Sequence, residues 1–175
     1  VYTSSLAAFS DTHGVMADEQ YRFEGRHIST YDRTKWEAHY RVAVPMMEAG
    51  LPLTIVMPGA VYGPGDHSDL GKVFRLAIKG KQPFAPSRTA LCWGYIDDIA
   101  EGHIQAMERG HPGETYIIAG PRHTLIDVLE RVAALAGSSP PRLHLPPGLV
   151  KALAVPLQGI GALFSFGSLQ DFKDS

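Results

Sequence analysis

A chain of 175 residues is long enough to bury a real core, as one domain or as pieces of two. Its 45% hydrophobic and 19% charged residues are those of a globular protein, and a formal net charge of −2 leaves no basic surplus for nucleic-acid binding, which depends on neutralising phosphates. The single cysteine, Cys92, excludes a disulfide framework and a cysteine-based zinc site, and suits a reducing compartment, so a cytoplasmic location is expected.

The chain opens on Val1-Tyr2-Thr3-Ser4-Ser5-Leu6-Ala7-Ala8, a strand-like run ending in hydroxyl residues, without a methionine or a leader, and reads as the interior of a longer gene product. Residues 31–48 carry helical spacing, with Trp36, Tyr40, Val44 and Met47 on one face. Ser29 is predicted as the N-cap, with Asp32 completing a capping box, and Glu37 with Arg41 as an outer i,i+4 pair. Pro45 lacks the N–H that would bond the Arg41 carbonyl, which predicts a kink or an early helix end. Residues 53–57 form a β-type run, fed by the turn Ala49-Gly50-Leu51-Pro52 and cut off by Pro58-Gly59.

Helices are predicted at 69–79, closed by Gly80, and at 96–109, closed by Gly110. A strand follows at 114–119, then a helix at 124–136 with Thr124 as cap and Asp127 three positions on, and a short strand at 142–145. The most apolar stretch, 149–166, contains Lys151, Pro156 and Gln158 and makes a poor spanning helix, which needs about 20 mostly apolar residues. It reads as a helix of the fold buried along one face; contact with a membrane surface stays open, an integral span does not. The order of strands and helices predicts an α/β architecture with mainly parallel pairing.

The chemistry-bearing feature is Tyr31-Asp32-Arg33-Thr34-Lys35. Four helical residues turn through roughly 400°, so Tyr31 and Lys35 sit one turn apart on one face. A nearby ammonium favours the phenolate and draws a phenol, ordinarily near 10, towards working pH. Such a tyrosine can give a proton to a carbonyl oxygen or take one from an alcohol. Alone, this spacing occurs in many helices that do no chemistry. Two neighbours in sequence change its weight. The hydroxyls ending the first strand belong where ligands bind in α/β sheets, outside the carboxyl ends of strands. Met57-Pro58-Gly59-Ala60-Val61-Tyr62-Gly63-Pro64-Gly65-Asp66 is a second strand end passing into a glycine-rich loop, where backbone can approach a flat ligand.

Taken in order, these segments resemble the extended short-chain dehydrogenases/reductases of the NAD-dependent epimerase/dehydratase family. Within it they are most similar to the dihydroflavonol-reductase-like and 3β-hydroxysteroid-dehydrogenase-like members. Gly94-Tyr95-Ile96-Asp97-Asp98-Ile99-Ala100-Glu101-Gly102-His103 and the run from Gly113 to Gly120 add to the likeness, which extends from Val1 to about Ala136. The resemblance implies a Rossmann-like doubly wound parallel sheet, of which this chain holds the second half only, with a smaller α+β substrate lobe. Residues 1–63 and 96–119 would be the C-terminal half of the NAD(P)-binding domain, and 64–95 and 120–175 part of the substrate lobe.

It implies that Tyr31 is the acid/base and, with Lys35, a cofactor-binding residue, and that Lys35 tunes it and holds the nicotinamide ribose. Ser5, rather than Ser4, would orient the substrate oxygen. Pro58, Gly59 and Val61 would contact the nicotinamide of NAD or NADP. The implied reaction is hydride transfer to or from a secondary alcohol or ketone of a small, apolar substrate, and a homodimer is left open. A nucleotide-sugar epimerase or dehydratase is the alternative, with Arg75, Lys79, Lys81 and Arg88 as candidate diphosphate contacts that ordinary surface charge explains equally well. A non-catalytic NAD(P)-binding protein and an inactive fragment are the others.

The chain departs from the family pattern in three ways. It contains no Gly-x-Gly-x-x-Gly and no asparagine, so the pyrophosphate loop and the family's catalytic asparagine have no counterpart here. Met57 stands where relatives commonly carry an arginine. Asp97 and Asp98 are read as first-turn residues that suit the helix dipole. The eight histidines show no ligand spacing, so no metal site is expected; His13, His67 and His123 read as solvated loop residues, and Trp93 and Tyr95 as core or pocket wall.

Overall fold

The structure, a computed structural model, describes residues 1–146 and Leu149. The predicted apolar helix at 149–166 lies, apart from Leu149, outside the described residues. The chain divides into two compact units, one of Val1–Gly71 with Leu91–His123, the other of Lys72–Ala90 with the described residues from Thr124 onward.

The first unit is built on a parallel sheet of three strands in the order β1 (Tyr2–Thr3), β2 (Ile55–Pro58), β6 (Thr115–Ile118). Tyr2 pairs with Ile55 and Thr3 with Val56, while the second partner runs from Ile55 opposite Thr115 to Pro58 opposite Ile118. Parallel strands are covered on both faces, so their residues read as unbroken apolar runs rather than alternating ones. Accordingly Ile55, Val56 and Met57 are completely buried. Ile55 and Met57 form a core with Ala8, Phe9 and Ala43, against which Tyr40, Val44 and Met47 pack as the helical spacing predicts.

Between β1 and β2 the chain makes a 3-10 turn, Leu6–Phe9, and then helix α1, Thr30–Glu37. The Ser29 hydroxyl accepts from the Asp32 N–H at 3.1 Å and the Asp32 carboxylate accepts from the Ser29 N–H at 3.0 Å, the predicted capping box. Pro45 does not break the helix. A π-helical stretch, Ala38–Ala43, carries α1 into α2, Val44–Glu48, with the Val44 N–H donating to the His39 carbonyl five residues back. Widening the register before the proline accommodates both its missing N–H and its ring. The predicted Glu37–Arg41 pair is not formed. Glu37 pairs with Arg33 at 2.9 Å, and Arg41 lies over the Trp36 ring at 5.5 Å, because the π-turn alters the offset between 37 and 41.

After β2, Gly59 lets the chain switch into β3 (Ala60–Tyr62), which pairs in parallel with β5 (Ala90–Tyr95) from Ala60 opposite Trp93 to Tyr62 opposite Tyr95; β7 (Arg122–Thr124) completes this second sheet. A Cβ on Gly59 would collide with the Cys92 carbonyl oxygen and come to 2.9 Å from the Ala119 Cβ, so only glycine fits this crossing. α3 spans Asp69–Ile78, and α4 spans Ile96–Arg109 with Asp97 and Asp98 in its first turn.

In the second unit β4 (Phe84–Pro86) pairs in parallel with β8 (Leu143–Leu145) beside α5 (Leu125–Ala136). Ala77, Ala85 and Leu129 are fully buried together. The predicted cap of α5 is present, with the Thr124 hydroxyl accepting from the Asp127 N–H at 3.1 Å, and Gly137 ends the helix at φ +64°. No helix among the described residues is long and apolar enough to cross a membrane.

Candidate active site

Topology puts the predicted residues on one edge. Because β1 and β2 are parallel, α1 must return the chain from the carboxyl end of β1 to the amino end of β2, so its first turn lies at the carboxyl edge. The Ser4 N–H donates to the Val56 carbonyl at 2.8 Å, and the chain therefore leaves β1 beside Met57 and Pro58. Ser5, Tyr31 and Pro58-Gly59 thus share the carboxyl edge, the place where ligands bind in sheets of this kind.

Tyr31, in the first turn of α1, is 44% exposed. The Lys35 Nζ lies 5.7 Å from the centroid of its ring. The Tyr31 carbonyl accepts from the Thr34 hydroxyl at 2.9 Å, which helps hold this first turn. Ser5 is half-buried; its Oγ accepts from the Ala7 N–H at 3.1 Å and caps the 3-10 turn, a bond that leaves the hydroxyl proton unused. Ser4 is buried, and its Oγ shares a 2.8 Å hydrogen bond with His39 Nδ1.

Pro58 is buried at the end of β2, where it supplies no N–H. The Gly59 N–H donates to the Ile118 carbonyl at 3.1 Å, so that donor is committed to the sheet. Val61 sits half-buried on β3 opposite Gly94. At the carboxyl end of β6 lies a cleft of about 410 Å³, walled by Tyr62, Trp93, Tyr95 and Ile99, with Asp98 and His123 at its polar side. Tyr62 and Tyr95 lie 5.7 Å apart between ring centroids, and the Trp93 indole N–H donates to the His123 carbonyl at 3.2 Å.

Asp98 therefore lines a cleft as well as opening a helix, and His123, although exposed, faces the same space. Neither is legible from spacing, because the cleft joins the end of β3, the start of α4 and the turn after β6. His39 also went unmarked in the sequence. The one available sign is that it stands four residues before the buried Ala43 on the inner side of the helix.

Residues 1–119 match the family described as the NAD dependent epimerase/dehydratase family. The chain belongs to that family. Among proteins similar to this family member, sterol demethylase protein B of Methylococcus capsulatus is 29% identical over 166 residues, covering 89% of this chain and 48% of that protein. The sterol-4-alpha-carboxylate 3-dehydrogenase ERG26, decarboxylating, of Candida albicans is 25% identical over 112 residues, covering 62% of this chain and 32% of that one. The solved structure of gox2253 superimposes with a TM-score of 0.77 at 32% identity over 94% of this chain and 51% of its own. The chain thus spans about half the length, or less, of the relatives it matches.

The family is NAD dependent, and the carboxyl edge bears on where NAD would sit. An exposed phenol, an ammonium one turn away and a serine hydroxyl with its proton to give fit the nicotinamide and its ribose. A side chain at Gly59 would run into the Cys92 carbonyl and Ala119, so the strand crossing requires a glycine there.

Proposed function

We propose that this family member is an NAD(P)-dependent oxidoreductase acting on a secondary alcohol or ketone of a small, apolar, sterol-like substrate. The observation that carries the reading is the exposed Tyr31 with Lys35 one turn away, at the sheet edge where Ser5 leaves β1. The Ser5 hydroxyl, still holding its proton, donates to the substrate oxygen and fixes its place. Tyr31 takes the alcohol proton in oxidation, or returns it in reduction. Lys35 places a positive charge beside the phenolic oxygen as that proton leaves, and its ammonium holds the ribose. Bound NAD or NADP would supply the hydride acceptor or donor.

The apolar substrate class rests on two supports. The relatives in Methylococcus and Candida are named for sterols. The cleft walled by Tyr62, Trp93 and Tyr95 offers flat aromatic surface beside Asp98 and His123. A small-molecule substrate and a cytoplasmic setting follow from the same reading.

The test is to incubate the protein as encoded with NAD⁺ and a 3-hydroxy sterol bearing a 4α-carboxylate, and to follow NADH. Turnover that disappears in Tyr31→Phe supports the reading. Turnover retained in that variant removes Tyr31 from its role. Conversion of a nucleoside-diphosphate sugar with no net NADH, and none of the sterol, would make the protein an epimerase of the same family.

A further inference from the structure

Three consecutive hydroxyls leave β1, and each has a different partner. Thr3 Oγ1 lies 3.1 Å from His103 Nε2 on α4, and the other ring nitrogen of His103 donates to the Ile99 carbonyl at 2.7 Å. Ser5 caps the 3-10 turn. Ser4 alone points inward, 2% exposed, and meets the Nδ1 of His39, which is also 2% exposed.

His39 lies eight residues beyond Tyr31 on the same continuous helix, inside the π-helical stretch. Its surroundings are apolar: Ala43 on the next turn, and the Tyr40 ring edge-on to it at 4.3 Å between centroids. Burying an imidazole in such a place costs free energy unless its polar atoms are bonded. Packing alone would be served by leucine or methionine. Burial pushes the His39 imidazole down to about 4, so it stays neutral through the working range and the bond to Ser4 persists.

Building on the roles proposed for Ser5 and Tyr31, we infer that His39 is a positioning residue. Through Ser4 it ties the strand end that carries Ser5 to the helix that carries Tyr31 and Lys35, and so sets the spacing between the hydroxyl and the phenol. The strand end and the helix are joined in sequence only through the long connection from Ser10 to Ser29, so a direct side-chain tie between them has leverage that the chain lacks. A misplacement of about 1 Å between reacting groups can lower a rate about 100-fold.

The test compares Ser4→Ala, His39→Leu, His39→Asn and the double variant Ser4→Ala/His39→Leu in the protein as encoded, with NAD⁺ and the 4α-carboxysterol. Ser4→Ala and His39→Leu each lower kcat by about 10- to 100-fold, by the same positional argument, with KM for NAD⁺ changed less than about threefold. Asparagine can present an amide atom near the place of Nδ1, and His39→Asn recovers most of kcat. The double variant is no worse than the poorer single one, as expected when two residues act through one bond.

Two readouts need neither cofactor nor turnover. Ser4→Ala shifts the nitrogen resonance of the His39 ring, and a crystal structure of His39→Leu shows the Ser5 hydroxyl displaced relative to Tyr31. Losses that multiply, a kcat left intact in folded Ser4→Ala and His39→Leu, or an unmoved Ser5 would each overturn the inference. If Tyr31→Phe abolishes turnover while these variants keep it, only the positioning role fails. If Tyr31→Phe keeps turnover, the catalytic reading fails, and the resonance and the Ser5 position alone judge the His39 tie.

Discussion

The Lys35 ammonium stands 5.7 Å from the centroid of the Tyr31 ring, one turn further along the same helix. The two side chains come from one short helix, so their spacing is a local property of the sequence. What they face is a property of the fold.

Tyr31→Phe is expected to lower turnover about 10²- to 10⁴-fold, the range typical of losing a positioned acid/base group. NAD affinity should change little, because the ribose is assigned to Lys35. Lys35→Met should lose both turnover and cofactor affinity. Steady-state kinetics with calorimetric titration of NAD separate the two variants. Tyr31 is 44% exposed, so neither result is expected to come from unfolding.

Asp32→Ala removes half of the capping box at the head of α1 and should cost about 1 kcal/mol of stability. The same turn carries Tyr31, so turnover per folded molecule should fall as well. Asp127→Ala removes the equivalent device from α5 and should cost about as much stability without that loss. Denaturant titration and kcat on the same preparations check both.

Gly59→Ala forces a Cβ against the Cys92 carbonyl, a backbone atom that cannot swing aside. Overpacking of this kind costs typically about 1–3 kcal/mol. The expected result is a lower denaturation midpoint, with an unchanged slope if only stability is affected.

Stability should fall with acid through His39. Its imidazole titrates at 6.5 when unfolded and is lowered to about 4 by burial, so between those values the unfolded chain binds the extra proton. The contribution is therefore complete above the unfolded value, fades as pH drops from there towards the folded one, and amounts to roughly 3 kcal/mol at most. His39→Leu should lack this slope. The difference between the two proteins in urea titrations across that window isolates it from the carboxylates.

Much of the fold was legible because its signals are local. Helices at 69–79, 96–109 and 124–136 were marked by spacing and caps, and the structure places them at Asp69–Ile78, Ile96–Arg109 and Leu125–Ala136. The short strands β3, β4 and β7 escaped, since three residues carry no readable period and owe their state to a partner strand. The Glu37–Arg41 pair failed for a reason of the same kind. An i,i+4 offset assumes α-helical winding, and Pro45 imposed a π-turn just before it.

By itself the sequence determined the tyrosine–lysine spacing, the capping boxes, the α/β order and the family to which the chain belongs, because these depend on residues near one another in the chain. Only the tertiary structure decided which serine is buried and which is left with a proton to give. It also decided that His39 holds the first of them, and that Asp98 and His123 look into one cleft. Those facts depend on which segments the sheet and its crossovers bring side by side. Separations of 35 residues, as between Ser4 and His39, leave no periodic trace in a sequence.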